Sequence, residues 1–301
     1  MAEPAAPGDT LDKRQVRAAF DRAASTYDEA AVLQREVGRR LLERLELMRL
    51  QPRRVCDLGA GTGLATRALM GRYARATVVA LDLAPAMLER ARRRAPLLRR
   101  LRCVCADLEA LPLADASCDL LFSNLALQWV NDLDRACREL RRVLRPGGCL
   151  LFSTFGPDTL RELREAWAVA DGGQHVNTFL DMHDIGDALV RAGLADPVMD
   201  VEHFTLTYRA LPDLMRELKA LGAHVVAGRA TGLTGRRRLA AVAAAYESRR
   251  RDGRLPATFE VVYGHGWGPP QRDELARVAG PGRAVFALDQ LRRKLRDRHL
   301  A

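Results

Sequence analysis

The chain has 301 residues, of which 48% are hydrophobic, enough for one sizeable core with additions. No apolar run reaches the roughly 18 residues that a transmembrane helix requires. The net charge of +10 rests almost wholly on arginine, since only Lys13, Lys219 and Lys294 are lysines. Such a charge favours an acidic partner without choosing among nucleic acid, an anionic metabolite and an acidic protein.

Met1 to Thr10 is rich in Ala and Pro and lacks the charged and apolar regions of a secretory signal, so it reads as a short disordered tail. Residues 11–48 read as a helical leader, with Val16, Phe20, Val32, Leu33, Val37, Leu41, Leu42 and Leu45 recurring at helical spacing until Pro52. Strands are expected at 55–58, 77–81, 102–106, 118–123 and 149–154. Helices at 64–73, 85–94 and 132–144 alternate with them, the last closed by Pro146-Gly147-Gly148. That alternation predicts an α/β fold, a doubly wound and mostly parallel sheet with helices on both faces.

After residue 155 the rhythm loosens. Helices are expected at 157–170, 182–192, 211–221 and 236–250, and strands at 197–208 and 257–263. The two late strands would form an antiparallel end, giving seven strands in one domain over 1–301. Residues 51–154 would form its cofactor half and 155–301 its substrate side. Arg283 to His299 reads as a basic helix. Six scattered cysteines without a C-x-x-C pair suit reduced thiols in a cytoplasmic protein. Cys103-Val-Cys105 reads as alternate positions of one strand, and no residue set has metal-ligand spacing.

The strongest local signal is Asp57-Leu-Gly59-Ala60-Gly61-Thr-Gly63, between the first strand and the next helix. An open α/β sheet holds nucleotides at that junction. The dinucleotide pattern G-x-G-x-x-G would need glycine at position 64, which is Leu64. The tighter spacing suits a ligand without a pyrophosphate but with a free amine and carboxylate: Asp57 for the cation, loop N–H groups for the anion. Asp82 ends the second strand, where a carboxylate can accept both ribose hydroxyls. Asp107-Leu108 ends the third, where a carboxylate and a backbone N–H can read an adenine edge. Each acid alone is better explained as a helix cap or a solvated turn; three on consecutive strands beside the glycine loop read together as a nucleoside site.

The glycine loop, Asp82, Asp107-Leu108 and Ser123-Asn124-Leu-Ala-Leu-Gln128-Trp129 resemble the class I S-adenosylmethionine-dependent methyltransferases. More narrowly, the chain resembles the malonyl-acyl-carrier-protein O-methyltransferases, the BioC family of biotin synthesis. That resemblance also rests on Phe20-Asp-Arg-Ala-Ala-Ser-Thr-Tyr27, Gly173-Gln-His175-Val-Asn177-Thr-Phe179, Gly228-Arg229 and Glu260-Val-Val-Tyr263-Gly-His-Gly-Trp267. It implies S-adenosylmethionine as cofactor, held by Asp57, Gly59, Ala60, Gly61, Gly63, Asp82, Leu83, Met87, Asp107, Leu108 and Asn124. It implies a leader that covers the cofactor. It further implies methyl transfer to the free carboxylate of malonyl-acyl-carrier protein or malonyl-CoA, early in pimeloyl and biotin synthesis.

A carboxylate nucleophile is already ionised at neutral pH and needs orientation rather than a general base. Tyr27, Gln128, Trp129, His175 and Arg229 are the positioning candidates, each open to a purely structural reading. Asn124-Leu-Ala-Leu replaces the Asn/Asp-Pro-Pro-aromatic run used on planar nitrogens, and no Pro-Cys occurs for pyrimidine C5 chemistry. Without aromatic-interleaved basic strands, nucleic acid is not expected as partner. The arginine runs 92–94, 236–238 and 249–251 are either solvated helix faces or a dock for the acidic carrier. A quinone precursor, another carboxylic acid, or an assembly role on a partner protein remain the alternatives.

Overall fold

A computed structural model describes residues 10–97, 99–171, 175–223 and 235–270. The expected basic helix at 283–299 and Arg229 lie outside them. The chain up to Gly268 forms one compact unit; of the second, from Pro269, only the first two residues are described. Among the described residues no helix is long and apolar enough to cross a membrane.

The leader breaks into α1 (Lys13–Ala23), α2 (Tyr27–Ala30) and α3 (Val32–Arg44) rather than running as one helix. Asp12 caps α1 by accepting from the N–H groups of Arg14 and Gln15. Then β1 (Arg54–Leu58), α4 (Leu64–Arg72), β2 (Thr77–Asp82), α5 (Pro85–Arg94), β3 (Arg102–Cys105), β4 (Cys118–Asn124), α6 (Leu133–Val143) and β5 (Leu144–Phe155) follow the predicted alternation. The remainder comprises α7 (Arg161–Ala170), α8 (Met182–Arg191), β6 (Ala195–Tyr208), α9 (Leu211–Ala220), α10 (Arg236–Glu247) and β7 (Leu255–Trp267).

The seven strands form one sheet in the order β3-β2-β1-β4-β5-β7-β6. All neighbours are parallel except β7, which runs antiparallel to both β5 and β6. Period-two alternation sends Val55, Leu120, Phe122 and Leu151 to one face, beneath α3, α4, α5, α7 and α10. Cys56, Leu58, Leu121, Leu150 and Phe152 go to the other, beneath α6 and α8. Both faces are therefore covered, as parallel strands require. Each fully buried Leu or Phe contributes about 1.5–3 kcal/mol.

The strand order also sets a spatial sequence. The ends of β3, β2, β1, β4 and β5 lie side by side, so the loops after them form one continuous row. Two late strands exceed their predicted lengths because β6 and β7 pair almost throughout, from Ala195–Trp267 to Tyr208–Leu255. The six cysteines are all free, four of them buried; Cys103 and Cys105 occupy alternate positions on β3.

Candidate active site

The loop after β1 is tied down by its neighbour. The N–H groups of Gly59 and Ala60 both donate to the Leu81 carbonyl, at 2.8 and 3.0 Å. Gly61 N donates to Asp82 Oδ2 at 2.8 Å, and Ala84 N donates to Asp82 Oδ1 at 2.8 Å. Two of the glycines are required for different reasons. Gly63, at φ +83°, would drive a Cβ to 2.6 Å from Ala91 Cα on α5; Gly61, at φ +54°, has no protein atom within 4 Å of that position. Gly61 instead borders a cavity of about 850 Å³, counting its open mouth.

That cavity follows the row of strand ends. Ala106, Asp107 and Leu108 line it after β3, and Asp82, Leu83 and Met87 after β2. Gly59 and Gly61 follow from β1; Asn124, Gln128 and Trp129 from β4; and Phe155 from β5. The leader closes the cavity with Lys13, Val16, Phe20, Tyr27 and Gln34, joined by Leu221 and Ala223 after α9. Eight of the cofactor residues expected from the sequence thus meet in one space. Asp57, Ala60 and Gly63 are not on its lining. Asp57 is 1% exposed and accepts from Thr66 Oγ1, so it holds the loop to α4.

Burial pushes the Asp57 carboxyl up to about 7 and that of Asp82 up to about 6. Each Asp82 oxygen accepts one backbone N–H and keeps capacity for one more donor, which is what two ribose hydroxyls would use. At the β3 end, Lys13 reaches Asp107 at 3.1 Å and Glu109 at 2.7 Å. At the other end, Gln34 Oε1 is buried on the cavity wall with no hydrogen-bond partner in the protein. A buried orphan acceptor is costly unless a ligand donates to it. The ammonium of an amino-acid ligand is such a donor. The chain therefore offers an adenine end, a ribose carboxylate and an amino-acid end in that order, which fits S-adenosylmethionine.

The leader is fixed over this space. Phe20 meets Trp129 edge to face at 5.1 Å, and Asn131 exchanges hydrogen bonds with both the N–H and the carbonyl of Leu11. Asp28 accepts from Thr62 Oγ1 at 2.6 Å and pairs with Arg94. Burial raises the Asp28 carboxyl, but these partners prevail and leave it below the usual carboxylate range. Tyr27 sits on the lining, its phenol raised well above its ordinary value by burial and the nearby Asp82 and Asp28 charges. Its phenol therefore lines the cavity in the neutral form.

Among the positioning candidates, Gln128 is held at both ends: Nε2 donates to the Leu125 carbonyl at 2.8 Å and Oε1 accepts from Thr154 Oγ1 at 3.3 Å. His175 is not on the cavity lining. It stacks on Trp167 of α7 at 3.7 Å and pairs with Asp171 at 3.0 Å. Lys13, Gln34 and Phe155 were missed from sequence. Lys13 carried one signal, as one of three lysines in an arginine-rich chain. Away from the cavity, side-chain atoms of Asp158, His203 and Glu260 lie within 4.8 Å of one another. They are already engaged, Asp158 with Arg161 at 3.2 Å and Glu260 with the Asp158 N–H at 2.7 Å.

Known proteins place this site in a family. A methyltransferase-domain family model matches residues 56–152. The YcgJ protein of Bacillus subtilis shares the fold, with TM-score 0.54 and 17% identity over 77% of this chain and 98% of its own. So does a Haemonchus contortus phosphoethanolamine N-methyltransferase solved with S-adenosylhomocysteine. It has TM-score 0.53 and 19% identity over 83% of this chain and 58% of its own. A malonyl-acyl-carrier protein O-methyltransferase of Halorhodospira halophila is 60% identical over 281 residues, 90% of this chain and 95% of the relative. Its counterpart in a Methylovorus strain is 56% identical over 278 residues, 90% and 92% of the two chains. With that identity along nearly the whole length, the chain belongs to the malonyl-acyl-carrier protein O-methyltransferase family.

Proposed function

We propose that this protein transfers the methyl group of S-adenosylmethionine to the free carboxylate of malonyl-acyl-carrier protein. The observation that carries the donor assignment is the single cavity joining Asp107, Asp82, Gly61 and the orphan Gln34 Oε1. The bound sulfonium supplies an electrophilic methyl carbon: the carboxylate oxygen bonds to it while the carbon–sulfur bond breaks and its electron pair returns to sulfur. The protein's work is to align and to exclude water. Asp82 and Asp107 fix the nucleoside, Gly61 lets it approach the backbone, and the leader closes the space. Holding reactants in line contributes about 7–11 kcal/mol in favourable cases. Gln128, locked by Leu125 and Thr154, stands on the acceptor side, while Trp129 packs against Phe20 of the leader.

The product ester hides a charge that an apolar chain-extending site would reject, which suits an early place in pimeloyl and biotin synthesis. An acidic carrier fits the net charge of +10 and the exposed Arg236, Arg237 and Arg238 on α10. Six unpaired cysteines suit the cytoplasm. The test compares malonyl- and acetyl-carrier protein with labelled donor. Label should enter malonyl-carrier protein alone, as a base-labile ester. Equal incorporation into acetyl-carrier protein would mean carbon chemistry and would overturn the carboxylate mechanism.

A further inference from the structure

A second cavity, of about 490 Å³ with its mouth, opens beyond the donor site. Gln128, Val130 and Phe155 line both. Its position follows from the strand order. Asp107 and Asp82 would hold the donor's nucleoside at the ends of β3 and β2, and Gln34 and Asn124 would border its amino-acid end near β4, which leaves the side of β4 and β5 for an acceptor. The second cavity lies there, against Thr154 and Phe155 at the end of β5 and the helical turn Leu127–Trp129 after β4.

Its outer wall is Thr178, Phe179 and Leu180. Thr178 and Phe179 belong to the motif that marks the narrower family rather than methyltransferases at large. Phe179 meets Phe155 edge to face at 5.6 Å, so this segment is anchored to the partition between the two spaces. Leu127, Leu133, Phe179 and Ile185 supply the apolar part of a mixed lining, and Gln128, Asn131, Thr154 and Thr178 the polar part. Walls that mix apolar and polar surface suit a flexible chain in which methylenes alternate with amides.

We propose that this cavity is the subsite for the thioester-linked pantetheine arm of the acceptor, and that the malonyl carboxylate reaches the methyl group between Gln128 and Phe155. This rests on the malonyl reading above. A substrate carried on a long arm needs room beyond the donor site, and the 178–180 segment walls that room here.

Filling the cavity from opposite walls tests this, with Thr178→Trp on the outer segment and Leu133→Trp at the start of α6. Two acceptors are compared, malonyl-pantetheine and the arm-less malonyl methyl thioester. The ratio of their kcat/KM values, arm-bearing over arm-less, should fall about tenfold or more in each variant. Affinity for S-adenosylhomocysteine should be unchanged, which also reports that each variant folds. An unchanged ratio in a folded variant would overturn the proposal. Calorimetric titration of pantetheine into the S-adenosylhomocysteine complex separates this from the malonyl reading. Wild-type binding abolished by either tryptophan supports the subsite even if no malonyl compound is methylated. Equal binding by wild type and both variants, or none by wild type, removes the subsite.

Discussion

The donor side and the acceptor side of this molecule are built by different rules. On the donor side Gly61, Asp82 and Asp107 hang from the ends of consecutive parallel strands, so they come to one cavity because β2 lies between β1 and β3, and the leader closes the space over them. On the acceptor side only Thr154 and Phe155 come from a strand end; the other walls come from a turn after β4, the start of α6, the segment before α8 and Ile185 on α8, brought together by packing. Strand-end residues are fixed by hydrogen-bonded register; loop residues are fixed by what they touch. A fold of this kind can therefore keep one donor and change acceptors by altering connections.

The sharpest way to break this contrast lies within the glycine loop. Gly61→Val and Gly63→Val share the strain of a positive φ, about 1–3 kcal/mol. They differ in what the side chain meets. Gly61→Val should leave a folded protein whose donor affinity, by calorimetry, falls about a hundredfold, since the new methyls fill ligand space. Gly63→Val should collide with Ala91 and lower the unfolding midpoint far more, with donor affinity lost only through unfolding. The same behaviour in both variants would mean the loop is structural alone.

Next in size is Asp82. Asp82→Ala should cost about 1.5–3 kcal/mol of donor affinity through lost charged hydrogen bonds. With its carboxyl pushed up to about 6, wild-type affinity should fall as pH drops below that value, by up to about tenfold per unit. Asp82→Asn should flatten the profile. Stability runs the other way. The folded Asp82 and Asp57 retain protons that the unfolded chain has lost. The stability they contribute is full below about 4 and disappears as pH rises through about 6 to 7. Affinity independent of pH between 5 and 8, on the order of the range a buffer series covers, would contradict the Asp82 role.

The smallest effect concerns the carrier. Changing Arg236, Arg237 and Arg238 to Glu should lower kcat/KM for malonyl-carrier protein several-fold at low salt and flatten its salt dependence, sparing donor affinity. Steering acts on encounter and is screened over about 8 Å at physiological ionic strength. An unaltered salt slope would move the dock elsewhere on the surface.

Much of the donor side was legible in the sequence for the reason that built it. A buried strand followed by glycines, then acids at two further strand ends, is a local pattern with fixed geometry. Asp57 shows the limit even there: spacing puts it beside the loop, while its contact with Thr66 makes it a buried tether and not part of the lining. The leader's helical periodicity was visible, but its breaks between α1, α2 and α3 were not, because no glycine or proline marks them. His175 stood out by motif, yet it stacks on Trp167, a partner no local pattern announces. Lys13 and Gln34 depend on how the leader docks, a contact across many residues of chain that periodicity does not encode.

That docking has a kinetic meaning. The leader is anchored in the core by Leu33, Val37 and Leu41 of α3, while α1 and α2 are held by polar contacts at Leu11, Lys13 and Asp28, with Phe20 on Trp129 and the buried Val16 and Ala19 between them. Partly exposed ion pairs of this sort hold by only about 0.2–1 kcal/mol each, because water replaces them readily. Any opening is therefore confined to α1 and α2, whose apolar anchorage is smaller than that of α3, while the sheet beneath stays intact. Because the same two helices wall the donor cavity, they are the side from which donor can pass in and out, and the hinge of such a door is the chain between α2 and α3.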